Sequence, residues 1–294
     1  MTPMLRPPSI DPTAKQAAFE KLYHYQTFKT DCLADSKEYL RATLRDRRLF
    51  FGHPHGVNDP WDYRPFFDYA PMLADRAERE HMITFLRATT PQLFNHPHRP
   101  VYEQMLLTND DELKKAVETW TKNLQAELAH RRIYCLTPFP KNTLMWSHYA
   151  DSHRGICIEF DKNNDVISKA RPIRYTKEFR ALTAKSIMDD PFQVVLTKAM
   201  DWCYEREWRI IGSFTQPGPT FLSGNYVNLP DGAITAIIVG CDNPFFDEVV
   251  SIVSEFAPSV TVERAVRHPN RYELEIVTAT NDVTSCHQEA AGSS

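Results

Sequence analysis

Glycine is scarce in this chain, with nine in 294 residues, and neither a G-x-G-x-x-G nor a G-x-x-x-x-G-K-[ST] string occurs. A glycine-rich loop that cradles phosphates on its backbone is therefore not expected. The six cysteines are scattered singly, with no C-x-x-C, which argues against a zinc ribbon or a thioredoxin-like motif. There is no excess of positive charge, since the formal net charge is -4, which argues against an extended basic footprint for nucleic acid and leaves room only for a local basic site. No apolar run of membrane length and no signal-peptide pattern occur. These absences lead us to expect a cytoplasmic chain with reduced thiols and no membrane partner. What remains is 42% hydrophobic and 12% aromatic, the composition of a globule with a sizeable core.

The pattern along the chain is uneven. Residues 1–21 hold Pro3, Pro7, Pro8 and Pro12 and little apolar periodicity, and read as a loose arm. Short apolar runs at Leu22–Tyr25, Leu49–Phe51, Ile133–Leu136, Gly155–Phe160 and Ala236–Gly240 read as strands. Asp35 followed by Glu38 marks a helix start, and Leu33, Leu40 and Leu44 share one helical face. Residues 64 to about 131 read as a helical insert. Asn109 with Glu112 forms an N-cap signature there, and Leu113, Val117, Trp120, Leu124 and Leu128 recur at intervals of three and four. A helix is expected over residues 190–202 and another over Phe246–Phe256, followed by a hairpin-like pair at Val260–Val266 and Tyr272–Val277. The tail from 278 to 294 is small and polar, the composition of a disordered segment. The order implies one α+β domain over 22–277, with a mixed, mainly antiparallel sheet.

Four groups of residues carry chemistry. Glu205 and Glu207 lie two apart in Tyr204-Glu205-Arg206-Glu207-Trp208-Arg209. In an extended strand they project from one face. Two like charges that close need a cation, solvent or a ligand between them. Such a pair suits glycosidic cleavage through an oxocarbenium-like state, and equally suits a solvated face of alternating charges. Tyr23-His24-Tyr25 places a histidine on the first strand, where it either contacts a ribose or phosphate or bonds to backbone. Asn58-Asp59-Pro60-Trp61 has turn composition and offers an indole for stacking. The block from Trp146 through Ser147, His148 and Tyr149 to Arg154 is dense in polar groups. His148 and His153 are five apart rather than four, so a helical zinc pair, and with it a metal site, is not expected. Ser147 lacks the G-x-S-x-G elbow of a nucleophilic serine.

Taken in order, Leu22–Tyr25, Asn58-Asp59-Pro60, Met145-Trp146-Ser147-His148-Tyr149 and Tyr204-Glu205-Arg206-Glu207-Trp208-Arg209 resemble the blocks of a largely bacterial family catalogued as a domain of unknown function. The same layout is similar to ADP-ribosyltransferases. That resemblance implies an ADP-ribosyltransferase-like fold and an enzyme that takes NAD as substrate, cleaves its nicotinamide glycosidic bond and transfers ADP-ribose to a nucleic acid or protein. It implies roles in toxin or phage-defence biology. By the same resemblance Glu207 is the catalytic glutamate and Glu205 the accessory one. His24, Tyr25, Asn58, Trp61, Trp146, Ser147, His148, Tyr149 and Arg154 hold the NAD. The middle block departs from the usual Ser-Thr-Ser, and the glutamates here read as part of one continuous strand. The alternatives are a non-catalytic nucleotide- or peptide-binding module and a different carboxylate-driven hydrolase.

Overall fold

A computed structural model describes residues 19–29, 32–56, 58–179, 181–190, 192–214 and 218–278. Most of the expected N-terminal arm and the tail beyond Thr278 lie outside the described residues. The architecture is α+β with a mixed, mostly antiparallel sheet.

The main sheet has five strands. β1 (Lys21–Gln26) pairs antiparallel with β4 (Ile156–Asp161), placing His24 opposite Ile158. β4 pairs antiparallel with β10 (Ile234–Val239), and β10 runs parallel to β11 (Thr261–Arg267) after a crossover through α8 (Phe246–Phe256). β12 (Leu274–Thr278) closes the edge antiparallel to β11. The interior strands β4 and β10 are buried along nearly their whole length, which explains their unbroken apolar spelling. α8 packs beside α1 (Leu33–Arg45) over this sheet. The core beneath gathers Leu22, Leu40, Ile156, Phe160, Ile237, Val239 and Val249.

A second sheet positions the site. β3 (Arg132–Leu136) pairs antiparallel with β8 (Trp208–Gly212), which pairs in turn with β5 (Arg171–Pro172). β1 joins the two sheets, because the Tyr23 amide donates to the Thr137 carbonyl at 2.8 Å, just past the end of β3. β6 (Arg174–Thr176) runs parallel to β7 (Thr197–Ala199) alongside. β2 (Arg48–Phe50) pairs with β9 (Tyr226–Asn228).

Between β2 and β3 the chain is helical: α2 (Ala70–Ala74), α3 (Arg76–Thr89), α4 (Arg99–Thr108) and α5 (Asp110–Ala129). The Asn109 side chain accepts from the amides of Asp111 and Glu112 at 3.0 and 3.2 Å, so the cap signature acts as spelled. These helices share their own core around Leu86, Leu106, Leu113 and Trp120. The same core takes in Leu182 and Ala184 from the start of α7 (Ala184–Asp189). α6 (Thr143–Tyr149) lies between β3 and β4, capped by Asn142, which accepts from the amides of Leu144 and Met145.

Three local expectations are corrected. α1 begins at Leu33 rather than Asp35, with Asp35 inside its first turn and no side-chain cap. No helix spans 190–202. Residues 192–196 turn, 197–199 form β7, and Met200–Glu205 is a 3-10 helix. The Asp190 side chain accepts from the Phe192 amide at 3.0 Å and starts that turn, and β-branched Thr197 suits the strand. Finally, the two glutamates do not share a strand. Glu205 ends the 3-10 helix, Arg206 is left-handed with φ 47°, and Glu207 precedes β8.

Candidate active site

The left-handed residue between them decides where the glutamates go. Arg206 at φ 47° turns the chain sharply, at a cost of about 1–2 kcal/mol for a residue with a Cβ. Both carboxylates are thereby carried inward, Glu205 to 3% exposure and Glu207 to 5%. Strand alternation and a left-handed turn lead to the same convergence, so the expected clustering holds although its expected cause does not. The Tyr175 hydroxyl accepts from the Glu207 amide at 2.8 Å and fixes the second half of the turn.

A single ammonium sits between the two carboxylates. Lys198 on β7 places Nζ 2.6 Å from Glu205 Oε2 and 3.3 Å from Glu207 Oε2. Arg209 on β8 then grips Glu207 from the other side, with Nε 2.6 Å from Oε1 and Nη2 3.1 Å from Oε2. The outer edge of the same guanidinium reaches Asp62 at 2.9 and 2.5 Å, and the Val195 carbonyl at 2.9 Å. Side by side, Asp62, Arg209, Glu207, Lys198 and Glu205 form one buried chain of alternating charge. Three carboxylates face two cations, so one negative charge is in excess.

That excess appears as opposite shifts on the two glutamates. Burial pushes Glu207 up, but Arg209 and Lys198 outweigh it and hold its carboxyl at about 2. Glu205 is pushed above the usual carboxylate range by burial, with Lys198 offsetting only part of it and Glu207 adding repulsion. Burial lowers Lys198, yet the two carboxylates outweigh that and raise it. The remaining oxygen of Glu205 accepts from the Tyr149 hydroxyl, and Asn58 Nδ2 donates to that hydroxyl at 2.8 Å. Asn58 is exposed, so this short relay leads from the buried carboxylate to the surface. His148 Nδ1 lies 2.9 Å from the Tyr204 hydroxyl beside it.

Among the residues singled out from the sequence, Tyr149 joins Glu205 directly, Asn58 joins it through Tyr149, and His148 bonds to Tyr204 beside them. His24 is half-buried, stacked on Tyr134 at 4.3 Å, with Nδ1 2.8 Å from the Cys135 carbonyl. Burial lowers its pKa, and the Cys135 thiol in turn bonds to Glu207. Tyr25 and Trp146 belong to the core. They pack edge to face at 5.1 Å, and their polar atoms bond to the carbonyls of Phe139 and Pro140. Ser147 faces His153 Nε2 at 3.1 Å, and Arg154 pairs with Asp151 of its own turn at 3.2 Å. Trp61 is 58% exposed and lines a cavity of about 570 Å³. That cavity meets the charged chain at Asp62 and Lys198, and Tyr175 also borders it.

Lys198 and Asp62 were not legible as site residues. A lone lysine between Thr197 and Ala199 carries no spacing signal, and Asp62 reads as one more turn residue. Arg209 had a signal, because it stands two residues after Glu207, the separation that drew attention to the glutamates. Among the described residues, no group of three or more His, Cys, Asp or Glu side chains is placed to hold a metal ion. No helix there is long and apolar enough to cross a membrane.

No curated protein and no solved structure matches the chain. Residues 145–210, which take in most of α6 and all of β4, Lys198, both glutamates and Arg209, match a family model described as a protein of unknown function (DUF2971).

Proposed function

We propose that this cluster is the reaction centre of an enzyme that cleaves the nicotinamide–ribose bond of NAD and passes ADP-ribose to a macromolecular acceptor. The observation that carries the reading is the opposite tuning of Glu205 and Glu207 beside a ligand-sized cavity. Paired carboxylates pushed apart in acidity divide acid/base and electrostatic work between them. Glu207, ionised throughout the working range, supplies negative charge as the anomeric carbon becomes cationic. Glu205, the more basic of the two, takes the proton of the incoming acceptor through the Tyr149 relay. The C1′–N bond breaks with its electron pair leaving on nicotinamide, the acceptor atom bonds C1′, and its proton ends on Glu205. The cavity volume, about 570 Å³, is within the usual ~300–1,000 Å³ of small-molecule sites.

Purified protein incubated with NAD should release free nicotinamide, and Glu205→Gln should slow that release about a hundredfold or more. No nicotinamide from the wild type would remove the enzymatic reading. One observation favours the second reading, a binding module: Arg209 and Lys198 already occupy both oxygens of Glu207. NAD that binds and is never consumed would select it.

A further inference from the structure

The cavity beside the glutamates has two unlike ends. One end meets Asp62 and Lys198, which are buried and tied into the charged chain. The other end is open and aromatic, with Trp61, Phe66 and Phe179 exposed by 58%, 47% and 51%. The rings of Phe66 and Phe179 stack with centroids 5.8 Å apart. The Leu182 amide donates to the Phe66 carbonyl at 2.7 Å, which pins together the two segments that carry these rings. Large apolar side chains gathered bare around one opening mark an interaction site.

Cations stand among the rings. Arg64 and Lys177 line the same cavity and are exposed, and neither side chain has a hydrogen bond or ion pair among the described residues. Arg174, a third cation of the lining, is already held by Asp190 at 2.7 Å. Glu178 is the one exposed carboxylate on the lining, so the mouth carries more positive than negative charge. Aromatic faces take a base, and an Arg fork or a Lys point charge takes phosphate oxygens.

We propose that this mouth anchors the half of the nucleotide that does not react, an adenosine diphosphate group. Its base stacks on Trp61 and the Phe66–Phe179 pair, and its pyrophosphate is met by Arg64 and Lys177. The exposure gradient sets the orientation: the bond to be cleaved belongs at the buried end, beside Lys198 and the glutamates, and the rest of the molecule extends to the open end. An anchor of this kind supplies binding energy remote from the reacting carbon. The division into halves rests on the proposed cleavage of NAD, but the binding it requires does not depend on turnover.

Calorimetric titration of the full chain with ADP, adenosine and nicotinamide mononucleotide tests this. ADP should bind about tenfold or more tightly than adenosine, and more tightly than nicotinamide mononucleotide. Added salt should shrink the advantage over adenosine. Replacing Arg64 and Lys177 together with Ala should bring ADP to within about twofold of adenosine, and neither residue has a partner whose loss would unsettle the fold. Trp61→Ala should weaken ADP about fivefold or more and keep its advantage over adenosine. No binding of ADP, equal binding of ADP and adenosine, tighter binding of nicotinamide mononucleotide, or an advantage that survives the double variant overturns the proposal. So does ADP binding that is unchanged in Trp61→Ala. Nicotinamide release from NAD without the ADP advantage defeats this anchor only, and the ADP advantage without release defeats the cleavage reading only.

Discussion

Replacing Lys198 with Met tests whether one ammonium holds the two glutamates together. The side chain keeps its length and packing, and the charge is lost. Lys198 is 6% exposed, with Nζ 2.6 Å from Glu205 and 3.3 Å from Glu207. Glu207 retains the Arg209 fork, so most of the loss falls on Glu205, left buried with only the Tyr149 hydroxyl. Removing one partner of a buried pair costs about 3–5 kcal/mol, because the other charge stays behind unpaired. At about 2–4 °C per kcal/mol for a protein of this size, the melting temperature should fall by roughly 10 °C. Glu205→Gln alone should cost about 1–2 kcal/mol, since Lys198 still pairs with Glu207. In the double variant no charge is stranded, because a buried amide needs no counter-ion. The two substitutions should therefore cost about 2 kcal/mol less together than the sum of the singles, measured by urea unfolding at pH 7. Additivity within about 0.5 kcal/mol would refute the shared-cation account.

Two further outcomes follow from the same chain of charges. Arg209→Lys should fail to restore the stability lost in Arg209→Met, about 3–5 kcal/mol, because a point charge cannot fork to both Glu207 and Asp62; denaturant unfolding of both variants would show it, and full rescue by lysine would contradict it. Arg209 and Lys198 hold Glu207 below its ordinary range in the fold, at about 2, so the stability it contributes is present above its ordinary pKa and lost as pH falls through the folded value. Glu205 runs the other way: its raised value favours the fold at low pH, and that contribution is lost as pH rises through its folded pKa. Glu207→Gln should flatten the acid limb of the stability–pH curve, and an unchanged acid limb would count against the ion-paired state.

Much of the scaffold was legible because local spelling and final environment agree. β4 and β10 are interior strands, so their apolar runs are unbroken. α5 is amphipathic and carries its own cap in Asn109. The stretch from 190 to 202 misled because its strand is fixed by a distant partner. Arg174, Tyr175 and Thr176 pair parallel with Thr197, Lys198 and Ala199 across some twenty residues, a register that no window along the chain displays. Tertiary pairing with β6, not a pattern within the stretch itself, decided its conformation.

The site shows the same division more sharply. That Glu205 and Glu207 share one space was readable from their separation, but the backbone that achieves it was not. Residue identity gives no warning that Arg206 adopts φ 47°, since a left-handed arginine is set by its surroundings. A strand would have placed both carboxylates on an outward face with solvent between them. The left-handed turn instead drives them inward, and burial makes cations obligatory. The spacing of the glutamates called for a cation, solvent or a ligand between them, but only the inward turn shows that cations meet them and that Lys198 is one of the two. The same turn explains why the glutamates differ. Glu207, on the β8 side, meets Arg209 two residues further on, whereas Glu205, on the 3-10 side, has only Lys198 and a tyrosine. Their unequal acidity is thus built into the backbone around Arg206.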